Sequence, residues 1–392
     1  MITMVKWIVY LLAIGVFVTA TSELVVSGIL AEIAGDLNIS IGLAGQLITA
    51  YSLSFAIGTP IVISLASRIG RKKVLLGAIA AFVLGGIVSV ASQTFVVLMF
   101  ARILLGVSSG VYLVVSIGTA AKLVQPEKLG STIATIILGF SSALIAGVPI
   151  GIVITEWLNW QAIFAILSLL ALLAGAMIYR LLPEVDGDEP VSFKKSIKWL
   201  GSSAVLAGLL LSLFREGGGS VLLTYMTPYL QELHSLELSQ IGIIMLVFGL
   251  VGALGSKLGG YSVDRRGAVP VIAAAVITHI AALSLLPLAG GNYWMSLLLL
   301  GLIFFSMFAA GPAMQSYFIQ KAPQAANFIL SIHTSIIHLG LAAGAGIGGL
   351  GVYQAATLKY HPWIAALMLG LGLAIGAAIF AAGSARSRSF SA

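Results

Sequence analysis

LPEVDGDEPVSFKKSIK, residues 182–198, is the one long polar run in a chain that is otherwise mostly hydrocarbon. Glu184, Asp186, Asp188 and Glu189 come first in it, and Lys194, Lys195 and Lys198 follow. Across all 392 residues 59% are hydrophobic and only 8% charged, whereas a soluble domain carries about 25% charged residues. Such a composition describes a polytopic membrane protein, whose units are spans of roughly 20 apolar residues rather than soluble cores.

Six such runs lie before the polar stretch, near 7–29, 41–66, 74–92, 95–121, 130–155 and 160–182. Six more follow it, near 199–230, 240–258, 268–289, 293–318, 327–352 and 362–383. The expected fold is all-α, with 12 transmembrane helices in two six-helix bundles, 1–182 and 199–392, joined by a linker over 183–198. The first run is too long for a cleavable signal peptide and lacks a sensible small-residue cleavage site, so it stays as a span. The seventh contains Arg215, Glu216 and three glycines, Gly217, Gly218 and Gly219. Cut at the glycines, each piece is too short to cross, so one broken helix is expected there.

The halves match each other at a constant offset. Arg265 and Gly267 lie 197 residues beyond Arg68 and Gly70, and LAAGAGIG (341–348) lies 197 beyond LIAGVPIG (144–151). Two unrelated stretches sharing one offset indicate duplication, and parallel six-span repeats hold substrate near the bilayer midplane between the halves. Of the 20 Lys and Arg residues, Arg102 and Arg215 fall inside spans and Lys359 alone falls on the second side. The other cationic residues share one side, which the positive-inside rule makes cytoplasmic, with both termini. The net charge of +7 is therefore a topology signal and not a nucleic-acid surface. The absence of cysteine rules out disulfides and thiolate metal sites.

Several stretches together resemble the major facilitator superfamily. ISLASRIGRKK (63–73) resembles its loop 2–3 signature, G-x-x-x-D-R-x-G-R-[KR], and GGYSVDRRG (259–267) resembles the second-half copy. Arg102 with Gly106 and Gly110 resembles the R-x-x-x-G motif of span four. GVPIG (147–151) resembles the span-five antiporter motif. TSELVVSGIL, AGQLITAYSLSFAIGTP, GFSSALIAGVPIG and AMQSYFIQKAP resemble the bacterial twelve-span drug/proton antiporters, especially purine-base and nucleoside efflux pumps and arabinose-efflux-type permeases. The resemblance covers essentially the whole chain and implies a bacterial cell-membrane transporter working by alternating access. It also implies gating roles for Arg68, Gly70, Arg71, Asp264, Arg265, Gly147 and Pro149. The chain departs from the pattern at Ile63, where the family has Gly, at Ser67, where it has Asp, and at Leu105, where it has a polar residue. The charge relay that the Asp supports is implied only for the second half, through Asp264.

Within the spans the informative residues are the ionisable ones, since a charged side chain at the membrane centre costs on the order of 2.5–3.5 kcal/mol even on a mild scale. Glu23 is one, in a polar stripe with Thr19, Ser22 and Ser27. Arg102, Ser109, Tyr112 and Ser116 form a second stripe. At about 1.5 Å per residue Arg102 lies at a depth similar to that of Glu23, so the two are expected to face each other, as a proton carrier with its partner or as a permanent ion pair. Arg215 and Glu216 point about 100° apart on a regular helix and are not expected to pair there. The glycines that follow are expected to break the helix and re-aim them, for ligand or proton contact or as a hinge. Asn327, Ser331, Thr334 and His338 make a third stripe. In span ten Phe304, Phe308, Gly311 and Gln315 share a face, and Tyr51, Tyr112 and Tyr225 also lie within spans. Aromatic faces with a few amides suit a flat heterocycle, although for any one aromatic helix packing is the usual reading.

No G-x-x-x-x-G-K-[ST] is present for ATP-driven transport, no Ser/His/Asp or Cys/His set for hydrolysis, and no metal-ligand spacing among the five histidines. The expected protein is a monomeric, cofactor-free, proton-coupled exporter of a small planar or amphiphilic compound, with Glu23, Arg102 and Glu216 coupling protons. Substrate contacts are assigned to Glu23, Ser109, Tyr112, Arg215, Tyr225, Phe304, Phe308, Gln315, Thr334 and His338. The alternatives are an importing symporter or facilitator and, from another class, a ligand-binding receptor, against which stands the lack of any soluble output domain.

Overall fold

The computed structural model describes residues 2–125, 129–187, 198–289, 291–355 and 357–389. Most of the expected linker lies outside these residues, as do Lys128, Lys194 and Lys195 and the side chain of Asn327. Among the described residues, 12 helices are long and apolar enough to cross a membrane. The chain forms two compact units, one of Met1–Val191 with Leu236–Leu246, the other of Ser192–Ser235 with Val247–Ala392.

The first unit opens with α1 (Ile2–Gly28) and the short α2 (Leu30–Asp36). The spans α3 (Ile41–Leu65), α4 (Arg71–Ala91) and α5 (Phe95–Leu123) follow. α6 (Leu129–Ser142) continues through a π-helical turn, Ala143–Gly147, into α7 (Val148–Trp157), and α8 (Trp160–Leu181) closes the set. The π turn has a local cause. Pro149 has no N–H for the usual bond, and a wider turn re-registers the carbonyls before it. The second unit holds α9 (Ser203–Leu223), α10 (Met226–His234), most of α11 (Leu238–Arg266), α12 (Ala268–Leu285), α13 (Tyr293–Lys321), α14 (Ala326–Ala355) and α15 (His361–Ser389). Ser40, Thr94, Asn159 and Asn292 each accept a bond from the backbone N–H three residues on. Each such cap is worth about 1 kcal/mol.

In one respect the seventh span differs from expectation. α9 runs unbroken through Gly217, Gly218 and Gly219 and ends at Leu223. The break falls at Thr224–Tyr225 because Pro228 cannot donate to the Thr224 carbonyl and its ring crowds that oxygen. The glycines serve contact instead. A Cβ on Gly217 would come within 3.3 Å of the Gly340 carbonyl oxygen, and one on Gly218 within 2.7 Å of that of Ala365, so α14 and α15 both approach the α9 backbone.

The spans α1 and α9 are hubs. Of their central stretches 78% and 72% is buried, against 56% at most for any other span. Around them the packing repeats, with the contacting glycines 197 residues apart and their partners on α1 and α9 196 apart. Gly147 abuts Thr21 of α1, and Gly344 abuts Gly217 and Ser220 of α9; Gly151 meets Val25, and Gly348 meets Val221. Small residues let helices approach where lipid gives no hydrophobic drive for association. A further pair of ties repeats in the same way, with the carboxylates 196 residues apart and their donors 197 apart. Asp36 accepts from Trp160 Nε1 at 2.8 Å and Gln161 Nε2 at 3.1 Å, while Glu232 accepts from the Thr357 hydroxyl and, at 3.0 Å, from the Leu358 N–H.

Candidate functional site

The buried charges of α1 and α5 come together inside the first unit. Glu23 is 5% exposed and Arg102 is fully enclosed. Nη1 of Arg102 donates to the Ser22 carbonyl at 2.8 Å and Nε to the Leu47 carbonyl at 3.3 Å. The Tyr51 ring lies under the guanidinium, 4.3 Å from its carbon. Glu23 interacts electrostatically with both Arg102 and Tyr51. One guanidinium nitrogen, Nη2, is buried and makes no hydrogen bond to the described residues. A guanidinium held by two carbonyls and an aromatic face is fixed in place.

Helix geometry explains the approach. Gly106, one turn beyond Arg102, lets α5 lie directly on the α3 backbone at Tyr51. The Tyr51 hydroxyl reaches the Thr19 carbonyl at 3.4 Å and stands beside Ser109. Tyr112 crosses to α1, over Gly15, where its hydroxyl bonds the Leu12 carbonyl at 3.4 Å. The stripe on α1 is less polar than it reads, because Thr19 and Ser27 return their hydroxyls to the carbonyls of Val16 and Leu24.

The second unit holds another buried ionic pair, and here the expectation needs correcting. Nη2 of Arg215 bonds Oε1 of Glu216, its sequence neighbour. Both side chains are long enough to bend around the helix and meet. Nη1 of Arg215 donates to the Met307 carbonyl of α13 at 3.0 Å. Three residues earlier Ser212 shares a 3.0 Å hydrogen bond with His333 of α14, whose ring leans on Phe318 at 4.6 Å. His279, buried in α12, and His333 both interact electrostatically with Arg215.

The structure places the other sequence candidates as follows. Phe304 is buried in a stack on Phe248 at 5.1 Å, and Phe308 covers Gly252. Gln315 is exposed. Tyr225 is spent on the Ala345 carbonyl and the edge of His361. Ser331 and Thr334 bond their own helix, as Nδ1 of His338 does with the Thr334 carbonyl at 2.9 Å.

The residues expected to gate are spread over loops and helix ends. Arg68 and Asp264 are exposed, and Arg265 lies over the Tyr261 ring at 4.4 Å. Gly147 and Pro149 flank the end of the π turn. The Arg71 guanidinium rests on Gly118 of α5. Next to Gly70 the residues after α8 return as a strap across the loop between α3 and α4. The Arg71 N–H donates to the Val185 carbonyl at 2.8 Å, Lys122 Nζ donates to the carbonyls of Asp186 and Gly187 at 2.9 and 2.8 Å, and Gly187 lies against the Arg68 and Ile69 backbone. Nothing in the residue types signalled this strap. The Tyr51 support for Arg102 was also missed, although aromatic residues that share a depth with a membrane arginine are a usable signal.

Two buried charge sites on the hub helices of a twelve-span protein define a membrane transporter built from two related halves. The family model described as Major Facilitator Superfamily matches residues 12–345, and the chain belongs to that superfamily. The chain is 35% identical to an uncharacterised MFS-type transporter, YbcL, of Bacillus subtilis, covering 95% of this chain and 96% of the relative. Against a chloramphenicol resistance protein of Streptomyces lividans the identity is 27%, over 93% and 94% of the two chains. Among solved structures, an inward-facing, unoccupied bacterial homologue of the human lysosomal transporter Spinster matches with TM-score 0.78 and 13% identity over 96% of this chain and 97% of that one.

Proposed function

We propose that the protein is a proton-coupled exporter of a small planar or amphiphilic organic compound, working by alternating access with both termini in the cytoplasm. The observation that carries this reading is Glu23, a carboxylate buried on a hub helix beside a fixed guanidinium with one donor unfilled. A carboxylate there is costly unless it works. Water or charge entering around Arg102 changes the field at this carboxylate, which is what coupling requires. The outward direction is supported by the GVPIG segment at the π turn and by the resistance relative, whose name describes protection from an antibiotic. Purine bases and nucleosides remain the favoured compounds on the resemblance described above.

Arg215 and Glu216 form the second candidate relay. Their direct pairing supports a role in holding α9 to α13, with Glu216 as the alternative proton carrier. Thermal unfolding of the purified protein against nucleobases, nucleosides, sugars and chloramphenicol identifies the ligand, since stabilisation grows as RT ln(1 + [L]/Kd). Everted vesicles then test direction. Accumulation of that ligand on an imposed inward-acid gradient supports export, and uptake only in the opposite sense, or binding without movement, overturns it.

A further inference from the structure

A cleft of about 390 Å³ opens among α11, α12 and α13 of the second unit. Its walls are three helical faces. Leu258, Gly259, Ser262 and Arg266 follow each other at helical spacing on α11, as do Pro270, Ala274 and Thr278 on α12, and Leu302, Phe305 and Ala309 on α13. From Arg266 at one end to Thr278 at the other, the cleft runs the length of about eight to twelve helical residues. At about 1.5 Å per residue that is roughly 12–18 Å, the depth of one leaflet of a hydrocarbon core about 30 Å thick.

Polarity is distributed in the same way. The hydroxyls of Ser262 and Ser306, which line the cleft, are already bonded to the carbonyls of Leu258 and Ile303 on their own helices, so the walls present a largely apolar surface. The one cation on the lining, Arg266, sits in the last turn of α11, where the span ends. The rim is open to the side. Leu254, Leu258, Leu298 and Leu302 around it are exposed, as residues facing hydrocarbon are. Close contact of Gly255 and Gly259 with the backbone of Phe305 and Ala309 closes the floor between α11 and α13.

We propose that this cleft is a binding site for an anionic phospholipid, with one acyl chain laid along the α11–α12–α13 faces and the phosphate on Arg266. A polar solute would find almost no free hydrogen-bonding group along the walls. A chain of methylenes fits them, and the cation stands at the level of the headgroups. The proposal is independent of what the protein transports.

Native mass spectrometry of the full-length protein tests it, with palmitoyl-oleoyl phosphatidylglycerol and the matching phosphatidylcholine as probes. Phosphatidylglycerol should be retained with an apparent affinity about fivefold greater, the factor one basic residue contributes near an anionic headgroup. Arg266→Gln should bring the two lipids level. Ala274→Phe, which fills the middle of an open wall, should remove both adducts, and Thr278→Leu, filling the deep end, serves if Ala274→Phe does not purify folded. The proposal is overturned if the filled variants keep phosphatidylglycerol as the unaltered protein does, if Arg266→Gln keeps the preference, or if a soluble anion such as 1-naphthoate displaces the lipid.

Discussion

Replacing Gly106 by alanine tests whether the support of Arg102 depends on contact between α3 and α5. A Cβ at that position would meet the Tyr51 carbonyl oxygen, and would lie 3.1 Å from the Tyr51 carbonyl carbon and 3.2 Å from its Cα. These are backbone atoms, so no side chain can swing away, and α3 itself must shift. Overpacking of this kind costs about 1–3 kcal/mol. Gly→Ala in a helix interior also gains about 0.5–1 kcal/mol from reduced backbone freedom, which would blur the result. Gly77 removes that ambiguity, since it lies inside α4 and a Cβ there meets nothing within 4 Å. The propensity gain is common to both variants, and their difference isolates the clash. Thermal or denaturant unfolding in detergent, followed by tryptophan emission, should place Gly106→Ala about 1–3 kcal/mol below Gly77→Ala. Equal stability of the two variants would show that α3 and α5 do not touch at Tyr51, and the geometry around Arg102 would fall with it.

Two further outcomes follow from the structure. Glu32, on α2 beyond the first span, has its carboxyl pushed above the usual range by burial, with a backbone hydrogen bond opposing part of the effect. A raised carboxyl is favoured protonated, so its contribution is intact at acid pH and is lost as pH rises through the folded value. Glu32→Gln should therefore raise the unfolding temperature at pH 7–8 and match the unaltered protein near pH 4, and a pH-independent shift would contradict that assignment. Asp36→Asn weakens the charged acceptor shared by Trp160 and Gln161, at about 1 kcal/mol for a charge-assisted bond at a partly exposed site. Hydrogen exchange should quicken at 157–161 and stay unchanged at 357–358, where Glu232 makes the equivalent tie.

Much of the fold is legible in the sequence because membrane spans obey one strong rule, apolar length, and because the offset of 197 residues links the halves. The same offset relates Trp160 to Thr357, which the structure shows as paired anchor points. The difference at span seven has a clear origin. Three glycines in a row read as a helix break, yet here Gly217 and Gly218 face α14 and α15, and Pro228 is the residue that stops the ladder. Arg215 and Glu216 illustrate a second limit, since helical angle governs where Cβ atoms point but not where two long side chains end. At the first site the depths of Glu23 and Arg102 were readable. The carbonyls of Ser22 and Leu47 were not, because backbone acceptors have no residue identity, and the aromatic face of span ten could not declare that Phe304 is spent on Phe248.

In the proposed cycle Glu23 gives up a proton to solution when substrate binds. The most direct test is proton release in weakly buffered detergent solution when a stabilising ligand is added to the purified protein, measured with a pH-sensitive dye. The unaltered protein should release up to one proton per ligand bound. Glu23→Gln, still folded and still binding the ligand, should release none. The same release from Glu23→Gln as from the unaltered protein would contradict the assignment and move the coupling to Glu216.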